Sequence, residues 1–188
     1  MAERAAARTA PAASAIRFEA HIRTVGRSTI VRLPGEASAE LPSRGQVAVT
    51  GVINRHAFQT VLEPDGRRGH WLKVDTKLRE ALVVGDGDHV EVELEPAEDW
   101  PEPDVPTDFR TALAAAPDAA GLWKEITPMA RWEWVRWINA TKNPDTRNRR
   151  VDVGISKLRS GKRRPCCFDL AACTDPEVSK NGKLVDGE

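Results

Sequence analysis

The stretch GHWLKVDTKLREALVVGDGDHVEVELE, residues 69–95, determines the fold that the sequence predicts. It opens with a β-rich segment and continues through a short helical or looped stretch to a glycine-containing turn. It ends in a strand that alternates apolar and polar residues. STIVRLPGEASAELPSRGQVAVTGVI, residues 28–53, follows the same order. Because one such unit leaves an apolar face uncovered, two copies are expected to cover each other and close into a small β-barrel.

Two further strands complete the predicted barrel. AIRFEAHIRTV, residues 15–25, alternates apolar and polar side chains from Ile16 to Ile22. NRHAFQTVLEPDGRRG, residues 54–69, carries a strand through Phe58 and ends in a Pro-Asp-Gly turn. The sequence therefore predicts an α+β protein whose double-split β-barrel spans residues 14–96. Both repeats belong to one chain, so the barrel needs no partner and a monomer is expected.

The remainder divides into a linker, a helical module and two ends. Residues 97–107 belong to an acidic, proline-rich run and are expected to form a linker. Residues 108–164 are expected to be helical, because apolar side chains recur at three- and four-residue spacing. Residues 1–13 are interpreted as a disordered lead-in. Residues 165–188, which contain the three cysteines, have few apolar side chains and are expected to be mostly flexible.

Several short motifs occur in the order found in a known family. KLREALVVGDGDHVEVELE, residues 77–95, resembles the hairpin half of the AbrB/MazE type of double-split barrel. Residues 16–96 more specifically resemble the uncharacterised barrel domain of YdeI/OmpD-associated, or bacteriocin-protection, proteins. WVRWINATKNPDTRNRRVDVGISKL, residues 134–158, is similar to the helical part of that family. The resemblance implies a bacterial protein with a role in tolerance to antimicrobial peptides or envelope stress, and it implies no particular chemistry.

One candidate site lies in the barrel, in the segments NRHAFQT and GHWLKVDTKLR. Basic and aromatic side chains here are interpreted as an anion or small-ligand pocket, in which cations hold a negative group and a ring forms an apolar wall. The alternative is a set of exposed residues at strand ends. The predicted pocket consists of Arg55, Phe58, His70, Trp71, Lys77 and Arg79.

A second candidate site is the basic helical surface. Residues 131–164 carry eleven Lys and Arg residues against three acids, whereas residues 1–130 are net acidic. Such a surface either binds a polyanion or is a solvated helix face that the acidic linker partly neutralises. Trp134 and Trp137 share an apolar helix face with Ile138 and are predicted to lie in the core. The predicted polyanion surface consists of Trp132, Arg147, Arg149, Arg150, Lys157 and Arg159.

The remaining observations favour binding over catalysis. No apolar run approaches the length that spans a bilayer, so no membrane insertion is expected. Cys166, Cys167 and Cys173 lack the spacing of zinc sites, and their odd number favours the cytoplasm. No metal, cofactor or catalytic motif is predicted. We therefore expect a binding protein for a small anionic ligand or a protein partner. The alternatives are an AbrB-like nucleic-acid-binding regulator acting through the basic helices, and an enzyme with an unrecognised barrel site.

Overall fold

The computed structural model describes residues 15–167 and 169–185. The barrel strands and the two short helices between them are β1 (Ile16–Val25), β2 (Ser28–Arg32), α1 (Gly35–Ala39), β3 (Val47–Ile53), β4 (His56–Pro64), β5 (His70–Val74), α2 (Thr76–Leu82) and β6 (His89–Pro96). Within the described ranges, the elements that follow are α3 (Thr107–Ala114), α4 (Pro117–Glu125), α5 (Pro128–Asn139), α6 (Pro144–Arg159), β7 (Ser179–Lys180) and β8 (Lys183–Leu184). The predicted lead-in at residues 1–13 lies outside the described residues.

The six long strands close into one antiparallel barrel in the order β1-β2-β5-β4-β3-β6. The predicted repeats pair strand for strand, since β2 lies beside β5 and β3 lies beside β6. Each copy also has one more strand than the sequence repeat indicates. β1 precedes the first copy and β4 precedes the second, so the chain forms two β-β-α-β units. The predicted fold class, an α+β protein with a barrel built from one chain, is confirmed.

Alternation of apolar and polar residues builds the barrel core. Strand β6 shows it most clearly, because Val90, Val92 and Leu94 are buried and the residues between them are exposed. These side chains meet Ile22 of the neighbouring strand β1 and Leu72 of β5, across the barrel, in one apolar cluster. Each fully buried aliphatic side chain contributes about 1.5–3 kcal/mol relative to an exposed one. Both halves of that cluster come from a single chain, as the repeat requires.

Capping residues set the start of the two longest helices in the second module. The Thr127 side chain accepts a hydrogen bond from the backbone of Ala130 at the start of α5. The Asn143 side chain accepts one from the backbone of Thr146 at the start of α6, over 2.9 Å. Both helices also have proline at the first helical position, where its missing N–H costs nothing. Their apolar faces pack with α3 and α4 around Phe109, Trp134, Ile138, Ile155 and Leu158.

The segment between the barrel and α3 has no regular structure but makes specific contacts. Residues 97–106 contain neither helix nor strand. The Trp132 indole donates a hydrogen bond to the Pro101 carbonyl over 2.7 Å. Arg131 pairs with Glu102 over 2.5 Å. These contacts fix the connection against the start of α5.

The expectation of a mostly flexible segment at residues 165–188 is wrong for residues 169–185. β7 and β8 form a hairpin, and Cys173, Val178 and Leu184 are buried against Ile30 and Trp71 on the outside of the barrel. The Leu184 backbone also donates to the Asp65 carbonyl over 2.9 Å. The amino-acid composition of this segment shows how few apolar residues it contains. It does not show that the outside of the barrel has an apolar surface on which those residues can pack.

Replacing Gly66 with alanine should loosen this hairpin. Gly66 has a φ of 73°, and a Cβ there would collide with the Gly182 backbone in the hairpin. An alanine is strained at such a φ, and the clash leaves no room to relax without moving the hairpin away. We expect limited proteolysis to cut residues 169–185 faster in Gly66→Ala than in the parent protein. Gly87→Ala is the control, since Gly87 has a φ of 83° but open space around it. Equal cutting of both variants would contradict this docking.

Candidate functional site

An arginine-lined cleft lies between the β1–β2 hairpin, α1 and the β4–β5 turn. Its volume is about 780 Å³, and Leu33, Leu184 and Val185 supply part of its apolar wall. The acids that line it are Glu19 and Asp65. Its cations come from three separate parts of the chain, and they are Arg23, Arg32, Arg44, Arg67 and Arg68. The cleft therefore carries a clear excess of positive charge.

Asp65 organises the turn that presents two of these arginines. It is almost fully buried, and one carboxylate oxygen accepts hydrogen bonds from the backbones of Arg67 and Gly69, over 2.7 and 2.8 Å. The other oxygen pairs with the Arg32 guanidinium at 3.3 Å. Arg44 then donates to the Arg68 carbonyl over 3.1 Å. The turn is therefore held at both ends, so Arg67 and Arg68 are carried on a fixed backbone.

Two of the six predicted pocket residues are structural. His70 is fully buried, and its Nε2 lies 3.0 Å from the Gly45 carbonyl. Burial lowers the pKa of His70, so its imidazole is neutral at pH 7. Trp71 is equally buried and donates its indole N–H to the Pro64 carbonyl over 3.2 Å. Both side chains anchor β5 and do not provide a charge for a ligand.

The other four predicted pocket residues do not converge on one cavity. Lys77 and Arg79 are exposed on α2 and do not line the arginine-lined cleft. Phe58 is half-buried and packs against the barrel core. Arg55 lines a smaller cleft of about 520 Å³ at the β3–β4 turn, which also contains three glutamates. The sequence signal for the arginine-lined cleft is instead the Arg67-Arg68 pair that follows the Pro-Asp-Gly turn.

The basic helical surface is partly neutralised by acids of the same module. Arg147 makes a two-pronged contact with Asp108, over 2.6 and 3.1 Å, and this contact lowers the pKa of Asp108. Arg159 donates through its Nε alone to both carboxylate oxygens of Asp118, over 2.9 and 3.1 Å. The acids belong to α3 and α4, not to the linker that the sequence analysis considered. Such pairing leaves less charge for a polyanion.

The other predicted members of that surface are also engaged. The Arg150 guanidinium lies 5.4 Å from the centre of the Trp137 ring and donates to the Trp137 carbonyl. Lys157 contacts Cys166. Trp132, the one aromatic residue of the predicted polyanion surface, is half-buried, and its indole N–H donates to the Pro101 carbonyl. Arg149 remains exposed. The side chains thus stabilise the module's own surface.

A third cleft, of about 680 Å³, lies between the barrel, α5 and residues 174–177. Its deepest charges form a pair in which Arg136 Nε lies 3.1 Å from Glu63 Oε2. Lys73 and Asp175 form another pair at 3.2 Å. Five acids and three cations line this cleft, so its net charge is negative and it does not suit an anion.

The fold and the cleft together define the class of protein. It has a barrel that closes within one chain and carries a cationic cleft, and a helical module follows the barrel.

Two family models match the chain, one over the barrel and one over the helical module. Residues 18–94 match a domain of unknown function, DUF1905, and residues 102–161 match the model described as bacteriocin-protection, YdeI or OmpD-associated. The two matches are consistent with the YdeI/OmpD-associated family. No curated protein matches it. Among the described residues, no helix is both long and apolar enough to cross a membrane.

Proposed function

We propose that this protein is a non-enzymatic binding protein whose arginine-lined cleft holds a small anionic ligand in the cytoplasm. The observation that carries the proposal is that Arg23, Arg32, Arg44, Arg67 and Arg68 line one cleft against two acids. A guanidinium offers a planar fork of donors that matches carboxylate and phosphate oxygens. The volume of about 780 Å³ lies in the range of small-molecule sites.

Two features favour this cleft over the basic helical surface. First, Arg147 and Arg159 are committed to Asp108 and Asp118, so a polyanion would have to compete with contacts already made. Second, the buried Asp65 holds the β4–β5 turn in place before any ligand arrives. A preorganised turn lowers the entropy that binding must offset. The nucleic-acid-binding alternative has neither advantage.

The family description connects the protein with protection against bacteriocins. We propose that this role depends on anion binding: the protein carries or senses the bound ligand, and in this way supports tolerance. A strain that lacks the protein should regain tolerance when it carries the parent gene, and it should not regain tolerance with a gene whose cleft arginines are replaced.

Removing three arginines from the cleft should weaken anion binding. In the variant Arg23→Gln/Arg67→Gln/Arg68→Gln, all three positions are exposed, so the barrel should keep its melting temperature. Inorganic triphosphate, pyrophosphate and phosphate are titrated into the purified protein at low ionic strength and followed by calorimetry. We expect triphosphate to bind most tightly, and the variant to bind it at least about tenfold more weakly, a loss of about 1.4 kcal/mol. Added salt should weaken binding to the parent protein.

The matched control is Arg55→Gln/Lys77→Gln/Arg79→Gln, which removes the same charge from exposed positions outside the cleft. This variant should bind triphosphate as the parent protein does. Equal weakening in both variants would show that net charge, not the cleft, attracts the anion. The proposal also fails if the parent protein binds none of the three anions.

A further inference from the structure

Two adjacent cysteines and a lysine form a cluster at the end of α6, away from the arginine-lined cleft. Cys166 and Cys167 are both exposed and unpaired. The Lys157 ammonium, in the last turn of α6, donates to Cys166 Sγ over 2.7 Å. Cys167 is the next residue along the chain and is likewise accessible to solvent. The three groups therefore form a connected, solvent-accessible set.

The charges in this cluster make the two thiols unequal. The hydrogen bond from the Lys157 ammonium lowers the pKa of Cys166. The neighbouring Cys166 in turn raises the pKa of Cys167. The thiolate is the nucleophilic form of cysteine, and a neighbouring ammonium favours it. Cys166 is thus placed to attack first, and Cys167 lies beside it; once Cys166 is oxidised it no longer carries the negative charge that raises the pKa of Cys167, so Cys167 can attack in turn.

The third cysteine differs from both. Cys173 is buried against Ile30, Trp71, Val178 and Leu184. Burial raises the pKa of the Cys173 thiol to about 12. A thiol that is both inaccessible and protonated neither attacks an electrophile nor resolves an oxidised neighbour at an appreciable rate. The chemistry is confined to the exposed pair.

We propose that Cys166 and Cys167 form a reversible oxidation site, at which Cys166 is oxidised by a peroxide and Cys167 closes a disulfide with it. In the first step the Cys166 sulfur attacks hydrogen peroxide, the S–O bond forms, the O–O bond breaks and hydroxide leaves. In the second step the Cys167 sulfur attacks the Cys166 sulfenic acid, the S–S bond forms and water leaves. Two thiols and one peroxide give one disulfide and two waters, with two electrons passing from sulfur to oxygen.

The spacing of the pair explains why such a bond would be reversible. Consecutive Cα atoms lie about 3.8 Å apart across a trans peptide, whereas disulfides usually join Cα atoms about 4.4–6.8 Å apart. Cys167 also has a φ of 62°, a conformation that costs a non-glycine residue energy. A strained, exposed disulfide is easily reduced, which is the property of regulatory rather than structural bonds. The site would respond to oxidants and be restored by cellular thiols.

Mass spectrometry of the peroxide-treated full chain tests the proposal. The treated protein should lose the mass of two hydrogen atoms per chain and regain it with a thiol reductant. Peptide mapping should join Cys166 to Cys167 and find Cys173 still a free thiol. In Cys167→Ser the reaction should stop at sulfenic acid, which dimedone traps on Cys166. A link between two chains, or a link to Cys173, would overturn the proposal.

The role of the lysine is tested by the pH profile of Cys166 alkylation. Lys157→Met should move the midpoint to higher pH and slow peroxide oxidation at pH 7, by about tenfold for each unit of pKa change. Lys162→Met is the control: Lys162 is exposed in the same segment, but the ammonium that donates to Cys166 is that of Lys157. A profile that Lys157→Met leaves unchanged, or that Lys162→Met shifts equally, would show that the Lys157 contact does not activate Cys166.

Discussion

Replacing Trp134 with alanine is expected to destabilise the helical module by about 3–5 kcal/mol. Trp134 has no solvent exposure and lies at the centre of the cluster that joins α3, α4, α5 and α6. Its ring contacts Trp137 edge to face, with centroids 5.9 Å apart, and its indole N–H donates to the Arg163 carbonyl over 3.0 Å. The substitution removes a large apolar area and leaves that carbonyl without its donor. Denaturant unfolding followed by tryptophan fluorescence and circular dichroism measures the loss.

Trp132→Ala is the matched control for this prediction. Trp132 belongs to the same helix, but it is half-buried and contacts the linker through Pro101. Its removal should cost clearly less than the removal of Trp134. Equal losses for the two variants would mean that the helix position matters more than burial. A Trp134→Ala variant with the stability of the parent protein would contradict the placement of α5.

The fold could be predicted because it depends on local pattern. The strand alternation around Val90 and Val92 and the repetition of one unit are visible in the sequence, and together they require a closed barrel. The internal position of Trp134 follows from helical spacing alone. The sequence also predicts strands β1 and β4. It does not show that they hold equivalent positions in the two β-β-α-β units, because that depends on which strands each of them pairs with.

The candidate site could not be predicted in the same way, because charge is distributed by tertiary contacts. The basic run of α6 is conspicuous in the sequence, yet Arg147 and Arg159 meet acids about forty positions earlier in the chain. The arginines of the cleft are scattered from Arg23 to Arg68, so no local window shows their convergence. Exposed charge in a sequence therefore indicates a site only after its partners are known.

A buried ion pair joins the barrel to the helical module, and it also could not be predicted from the sequence. Arg136 has a side chain that is only 4% exposed, and its Nε lies 3.1 Å from Glu63, which retains 19% exposure. Gln46 donates to the same carboxylate over 2.6 Å. Arg136 further donates to the carbonyls of Leu170 and Ala172. One guanidinium thus joins β4, α5 and the C-terminal segment.

Replacing Arg136 with methionine is expected to cost about 3–5 kcal/mol of unfolding free energy at pH 7, because it leaves Glu63 buried without its cation. Glu63→Gln/Arg136→Met should recover part of this loss, since neither buried charge remains, although the carbonyls of Leu170 and Ala172 still lack a donor. Glu63→Gln alone completes a double-mutant cycle that isolates the coupling between the two side chains. Urea unfolding of the four proteins provides the values. A cycle without coupling would contradict the contact.

The pH dependence of the Arg136→Met variant separates a lost charge partner from lost packing. Burial already raises the pKa of Glu63 in the parent protein, while Arg136 opposes that rise. Without Arg136, the pKa of folded Glu63 should rise further above its unfolded value of about 4.3. A carboxyl whose folded pKa is raised favours the folded state at low pH, and this contribution is lost as pH rises through the folded pKa. The loss of unfolding free energy in Arg136→Met should therefore be smaller near about pH 4 than at about pH 7. Glu63→Gln/Arg136→Met should not show this difference between the two pH values. If Arg136 acted only by filling space, the loss in Arg136→Met would be the same at both pH values.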